Sequence, residues 1–439
     1  VPFALTRRLA IVAAAASVAL VIVLPDEGSL LVPLLALNAG LLVLAGLDSV
    51  LAPRASSLVI ERVVPAIVAL GATASMSWHV KSKVRRPVRF WLADELAPSL
   101  RATTRQVSGR LPGRAALDAT TTLRPARRGR FAINEIALRL AGPIGIGARQ
   151  TTVNVPGELR VYPPFRSRDE AELRLTRARI LEVGLRSAQG RGGGTDFDQM
   201  REYTVDDEFR RIDWASTARA GKAMVRTYRA ERNQTVLVLL DNGRIMAGRV
   251  EDVPRVEHAM DAVMMLTAVA TRLGDRCGFV AFDSLVRAVV SPGRSRDQLG
   301  RVTEAMYQLE PTLVESDYRG AFTETLARFR RRALLVILTD LVEQAVGESL
   351  LPAMPLIARS HVVIVASVRD PEVERWAHAS PDDPAGAYRK AAAAAALEER
   401  ARAAARLRGA GATVIDAVPG RIAPQLADAY LKIKATGRL

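Results

Sequence analysis

The 439-residue chain holds a single cysteine, Cys277, and four histidines, His79, His258, His361 and His378. One thiol cannot close an internal disulfide, and a lone cysteine with four scattered histidines lacks the spacing of a zinc site. Aromatic residues make up only 5% of the chain, so its basic segments lack the interleaved rings on which single-stranded nucleic acid stacks. Lysine is scarce: it supplies six of the 62 basic residues (positions 81, 83, 222, 390, 432 and 434), leaving 56 arginines. Disorder is excluded as the dominant state by a hydrophobic content of 49%, which is ample for a sizeable core. Against 46 acidic residues the net charge is +16. Nucleic acid, an anionic membrane surface, or a compositional bias with no functional meaning would each account for it.

Charge is also missing, in a more telling way, from two stretches at the front, Leu9–Pro25 and Gly28–Leu47. At 17 and 20 residues they lie at and just above the lower limit for crossing about 30 Å of hydrocarbon. Arg7 and Arg8 precede the first, Arg54 and Arg62 follow the second, and the link between them carries Asp26 and Glu27. Basic flanks on the cytoplasmic side predict a membrane hairpin with both ends inside and the link outside. The absence of a small-residue cleavage site before the second run argues against a signal peptide. The hairpin is assigned to residues 1–54, with helices at about 5–25 and 28–50. The remaining chain is expected to be cytoplasmic, on a multi-pass protein of the inner (plasma) membrane.

From Leu58 to Pro164 the pattern changes to short alternating runs broken by glycine and proline, with strands expected at Val59–Val64, Ala72–Val80, Arg86–Leu92, Ala116–Leu123, Ile133–Leu140 and Gln150–Val155. Residues 55–165 are read as a small β-sandwich. Between Lys81 and Arg130 there are 13 basic and three acidic residues, a local excess of +10. Next to a membrane anchor this points to the anionic inner leaflet.

Residues 166–232 form a linking segment. Its Gly190–Gly194 run is followed by no Lys-Ser/Thr pair, which excludes a phosphate-binding P-loop and favours a flexible connector. The block beyond it is dense in opposite charges around aromatic residues: Arg201, Glu202, Tyr203, Asp206, Asp207, Arg210, Asp213, Trp214 and Arg219. A salt-bridged clasp fits that density at least as well as an active site.

Residues 233–439 alternate continuous apolar strands with helices, the pattern of an α/β fold whose mostly parallel sheet is covered on both faces. Ligands in such sheets bind beyond the carboxyl ends of the strands. Asp241 follows the first strand and Asp340 a later one, which makes these the leading candidate site residues. Cys277 falls inside an apolar strand and reads as a core thiol.

This order of elements resembles the von Willebrand factor A-like fold, a Rossmann-like arrangement. The block GRGGGTDFDQMREYTVDDEFRRIDWASTAR, which starts at Gly190 and is followed by a strand ending in Asp241, resembles the signature of domain-of-unknown-function family 58 (DUF58). Val161-Tyr162-Pro163 and two N-terminal apolar helices fit the same family. The resemblance implies a bacterial membrane-anchored, cytoplasm-facing interaction or adaptor protein, a partner of MoxR-type AAA+ ATPases in the assembly or maturation of protein complexes, and not an enzyme. The A-type fold commonly holds a divalent cation. Here the resemblance assigns Asp241 and Asp340 as candidate metal ligands, with Ser316 as a candidate middle hydroxyl. Gly243 and Ile245 stand where two serines would be, so the site is degenerate and holds Mg²⁺ weakly if at all. No other cofactor and no small-molecule substrate is indicated. The alternatives are a hydrolase or metal-dependent ligand-binding domain using Asp241 and Asp340, and nucleic-acid binding through the basic β domain.

Overall fold

The computed structural model describes residues 3–23, 31–176, 196–204, 209, 212–229 and 234–436, with 196–199 and 226–229 by backbone alone. The chain divides into two compact units, Val1–Tyr162 and Pro163–Leu439.

In the first unit the uncharged runs form the helices Arg7–Val23 and Leu31–Val50. Among the described residues, Leu31–Val50 is long and apolar enough to cross a membrane. Arg7–Val23, at 17 residues, sits at the lower limit of length. It starts later than the expected position of about 5, because Phe3–Leu5 is a strand paired antiparallel with Gly147–Arg149.

The rest of this unit is two β-sheets around one core. Leu58–Val63, Ala74–Ser82 and Ala116–Leu123 form one sheet. The other has the order Phe3–Leu5, Gly147–Tyr162, Gly129–Ala141, Val88–Asp94, Gln106–Leu111, with Ile67–Ala69 also on Gly147–Tyr162. Period-two alternation turns Met76, Trp78 and Val80 inward from one sheet and Phe90, Leu92 and Leu138 from the other. Each such burial contributes roughly 1.5–3 kcal/mol. Asp94 would be costly in this interior, but Arg62 pairs with it at 2.7 Å and the Trp78 indole N–H donates to it. The short strands Ile67–Ala69 and Gln106–Leu111 escape a reading based on apolar alternation, because three and six residues carry too little pattern.

The second unit is built on a six-stranded sheet with the order Val286–Gly293, Arg276–Phe282, Thr235–Asp241, Leu334–Leu338, Val362–Val368, Thr413–Ala417. The first pairing is antiparallel and the other four are parallel. Alternate residues of one strand feed two separate cores. Val236, Val238 and Leu240 pack with helices Arg255–Arg272 and Ile422–Ala435, while Leu237 and Leu239 pack with Tyr318–Arg328, Leu351–Ala358 and Pro384–Gly409. This is why the strands read as unbroken apolar runs.

Helix Arg255–Arg272 is buried continuously from Val256 to Ala270. The chain at 163–176 covers part of it: Ala171 and Leu175 join its core, and Ser167 donates two hydrogen bonds to Asp261, each 3.1 Å. The Gly190–Gly194 run lies outside the described residues. After it, Asp196–Glu202 and Met224–Arg229 pair as an antiparallel ribbon, with the short helix Trp214–Ala220 between them.

Candidate functional site

The parallel strands end together, and two acids follow from where their apolar runs stop. Asp241 closes the central strand and is fully buried; Asp340 lies two residues beyond Leu338 and is 2% exposed. Neither carboxylate faces open solvent.

Asp241 is saturated with donors. Its Oδ1 accepts from Ser316 Oγ at 2.5 Å and Gly243 N at 2.8 Å, and its Oδ2 from Tyr318 Oη and Thr339 Oγ1, each at 2.7 Å. Tyr318 Oη is also 2.8 Å from Thr339 Oγ1. The phenol therefore stands among the oxygens that a cation would have to gather. Gly243 makes room for this arrangement, since a Cβ on it would lie 2.1 Å from Ser316 Oγ. Burial raises the Asp241 carboxyl above its ordinary range despite the four donated hydrogen bonds. Burial, together with the Asp241 charge, also pushes the Tyr318 phenol well up.

Asp340 belongs to a different network. Its Oδ1 accepts from Leu341 N at 2.9 Å, Ser367 Oγ at 2.8 Å and Arg400 Nη1 at 2.7 Å, and its Oδ2 is 3.2 Å from Arg255 Nε. Arg400 comes from helix Pro384–Gly409 and also binds Asp416 at 2.7 Å. It thus ties three neighbouring strand ends. Burial disfavours its charge, but Asp340 and Asp416 outweigh that and hold the guanidinium above its usual value.

These residues do not fit a divalent cation. Asp241 is closed off by three hydroxyls and a backbone N–H, and Asp340 is neutralised by two arginines. Among the described residues no cluster of three or more His, Cys, Asp or Glu is placed to hold a metal. Nor does the thiol offer chemistry. Cys277 is fully buried beside Thr267, and burial pushes it up to about 12, far from a thiolate at neutral pH.

Sequence reasoning missed Tyr318, Arg400 and Arg255. Tyr318 reads as a core aromatic. Arg400 carries a usable signal: Leu397, Ala396, Ala403 and Ala404, its neighbours three and four residues away on the helix, offer no acid, whereas Arg402 pairs with Glu398 at 3.0 Å. An unpaired arginine on an alanine-rich helix packed to a sheet needs an acid from elsewhere.

The charged block forms a second locus. Asp213 caps the helix Trp214–Ala220 by accepting from Ser216 N at 2.9 Å. Arg219 donates to Ala215 O and Ser216 Oγ, and Arg201 to Thr204 Oγ1. Glu202 is 3.6 Å from Lys222, and Tyr203 N donates to Ala223 O. Trp214 and Phe209 are 61% and 68% exposed and meet edge to face with centroids 5.7 Å apart. Asp206, Asp207 and Arg210 lie outside the described residues.

Comparison with known proteins finds a family model that matches from within this block onward. The family described as "Protein of unknown function DUF58" matches residues 199–379. Uncharacterized proteins of Mycobacterium tuberculosis and Mycobacterium bovis are each 25% identical over 182 residues, 41% of this chain. The match spans 56% of the length of those relatives. A solution structure of the CARDB domain of a Pyrococcus furiosus protein aligns with 24% of this chain and 94% of its own, at 12% identity and a TM-score of 0.17. A crystal structure of the same domain with di-metal ions aligns at 13% identity and a TM-score of 0.16, over 24% of this chain and 86% of its own.

Proposed function

We propose that the protein is a membrane-anchored, cytoplasm-facing interaction protein, and that its α/β unit is a von Willebrand factor A-like domain working without a metal ion. The antiparallel edge strand, the parallel order behind it and the acids after two strand ends support the A-like reading. Thr6 N donates to Ile146 O, and Asp48 at the end of the second apolar helix binds the same loop. Both ends of the helix pair thus meet one β-unit, which supports a hairpin with its ends on one side of the membrane.

The observation that carries the interaction reading is the exposed Phe209–Trp214 pair. Two large apolar rings held open to solvent, Trp214 at the start of a capped helix and Phe209 ahead of that helix, are costly unless covered, and aromatic anchors dominate binding energy at protein interfaces. The pair sits within the segment matched by the DUF58 family. A MoxR-type AAA+ ATPase is the partner that the family resemblance favours. The test is affinity purification of the full chain from membranes under gentle, nucleotide-containing conditions. An AAA+ ATPase should co-purify with wild type and be lost with Trp214→Ala. Recovery of no such ATPase would sink the partnership. Substrate turnover abolished by Asp340→Asn would favour a hydrolase instead.

A further inference from the structure

Four arginines converge in the first unit at the corner where the apolar helices meet the β-sheets. Arg8, Arg86, Arg89 and Arg110 line a recess of about 340 Å³, whose other walls are Pro53, Pro87, Ala141, Gly142, Pro143 and Gly145. No acidic side chain lines it, and among the described residues none of the four arginines forms an ion pair. Asp48, the carboxylate at this corner, is spent on the backbone N–H groups of Ile144 to Gly147. Gly145 keeps the recess open. A Cβ there would lie 3.0 Å from Arg89 Nη1 and 3.5 Å from Arg8 Nη1, so two guanidiniums approach one point. Arg86 is anchored as a wall by donating to Leu51 O at 2.8 Å. Partial burial and the charges of Arg8 and Arg110 weaken Arg89's hold on its proton. Packing like charges together stores repulsion that an anion would relieve.

We propose that this recess binds a phosphate group, gripped by Arg8, Arg89 and Arg110. Guanidinium forks match phosphate oxygens in geometry and charge. Two sources share that chemistry, an anionic phospholipid headgroup and free phosphate. The lipid source rests on the membrane-anchored reading: Arg8 is in the first turn of the first apolar helix and Leu51 follows the second, so the recess opens at headgroup level.

The full chain, purified in neutral detergent, is offered phosphatidylglycerol or phosphatidylcholine, and retained lipid is counted by native mass spectrometry. In a parallel arm, inorganic phosphate is titrated against the detergent-solubilised chain by calorimetry. Wild type should retain phosphatidylglycerol over phosphatidylcholine, and the Arg89→Gln/Arg110→Gln variant should lose that preference about tenfold. Lys81→Gln/Arg124→Gln removes two charges elsewhere on the same basic stretch and should leave the preference intact. Should the first double variant fail to fold, Arg8→Gln carries the same expectation. Phosphate binding without lipid preference would keep the site and remove the lipid source, leaving the anchored reading untouched. No binding in either arm, or equal loss in the control variant, overturns the proposal.

Discussion

Arg400 Nη1 lies 2.7 Å from Asp340 Oδ1, with the two side chains 15% and 3% exposed. The pair turns a strand-end acid from a candidate ligand into a structural tie. Removing one member of such a buried pair leaves an uncompensated charge, at a cost of about 3 kcal/mol. Arg400→Met should destabilise the α/β unit by up to that order, since it takes Arg400 from Asp416 and leaves Asp340 with Arg255 alone, 3.2 Å away. The double variant Arg400→Met/Asp340→Leu should recover part of the loss. Urea unfolding of the detergent-solubilised chain measures both. Single effects that add within about 0.5 kcal/mol would mean that the two residues are not coupled.

The raised Asp241 carboxyl predicts a pH dependence of definite sign. A carboxyl whose folded pKa exceeds its ordinary value of about 3.9 contributes most to stability below that value. The contribution is lost as pH rises through the folded pKa. Asp241→Asn keeps the shape and cannot ionise, and the hydroxyls of Tyr318 and Thr339 can turn to meet its amide. Relative to this variant, wild type should lose stability as pH rises from about 4. Thermal unfolding of both proteins across that range is the check, and a constant difference would show that burial does not raise the group.

Magnesium should do nothing to this domain. A cation at a hundred times its dissociation constant would add about 2.7 kcal/mol to stability. With Asp241 held by four donors and Asp340 by two arginines, the unfolding temperature should be the same in millimolar Mg²⁺ and in EDTA. A rise specific to Mg²⁺ and abolished by Ser316→Ala would reinstate the metal site.

How far the site could be read from sequence depends on how local its causes are. Asp241 and Asp340 were legible because each follows an apolar run, and a parallel sheet collects such ends on one side. The alternation of Ala74–Ser82 likewise announced which residues face the sandwich core. What neutralises the acids was not legible. Arg400 is 60 residues beyond Asp340, and Tyr318 Oη reaches Asp241 from 77 residues away. No local period encodes such pairings. The four-arginine recess draws on residues 8 to 145; composition gave its excess charge but not its convergence.

Asp48 offers the sharpest test of how the apolar helix is joined to the β-unit. Its Oδ1 accepts from Ile144 N, and its Oδ2 from Gly145, Ile146 and Gly147 N, each at 2.9 Å. The loop approaches so closely that a Cβ on Gly147 would lie 2.0 Å from Ala45 O. A buried donor left unsatisfied costs about 1–3 kcal/mol, and Asp48→Ala strands several at once. That substitution should destabilise the first unit by at least about 3 kcal/mol and expose residues 142–147 to protease. Asp48→Asn keeps one acceptor oxygen and should fall between Ala and wild type. Gly147→Ala should act in the same direction, by pushing the helix end off the strand. Proteolysis in detergent, read by where the first cut falls, distinguishes this from global unfolding. An Asp48→Ala chain as resistant as wild type would mean that the helix is held by its apolar contacts alone.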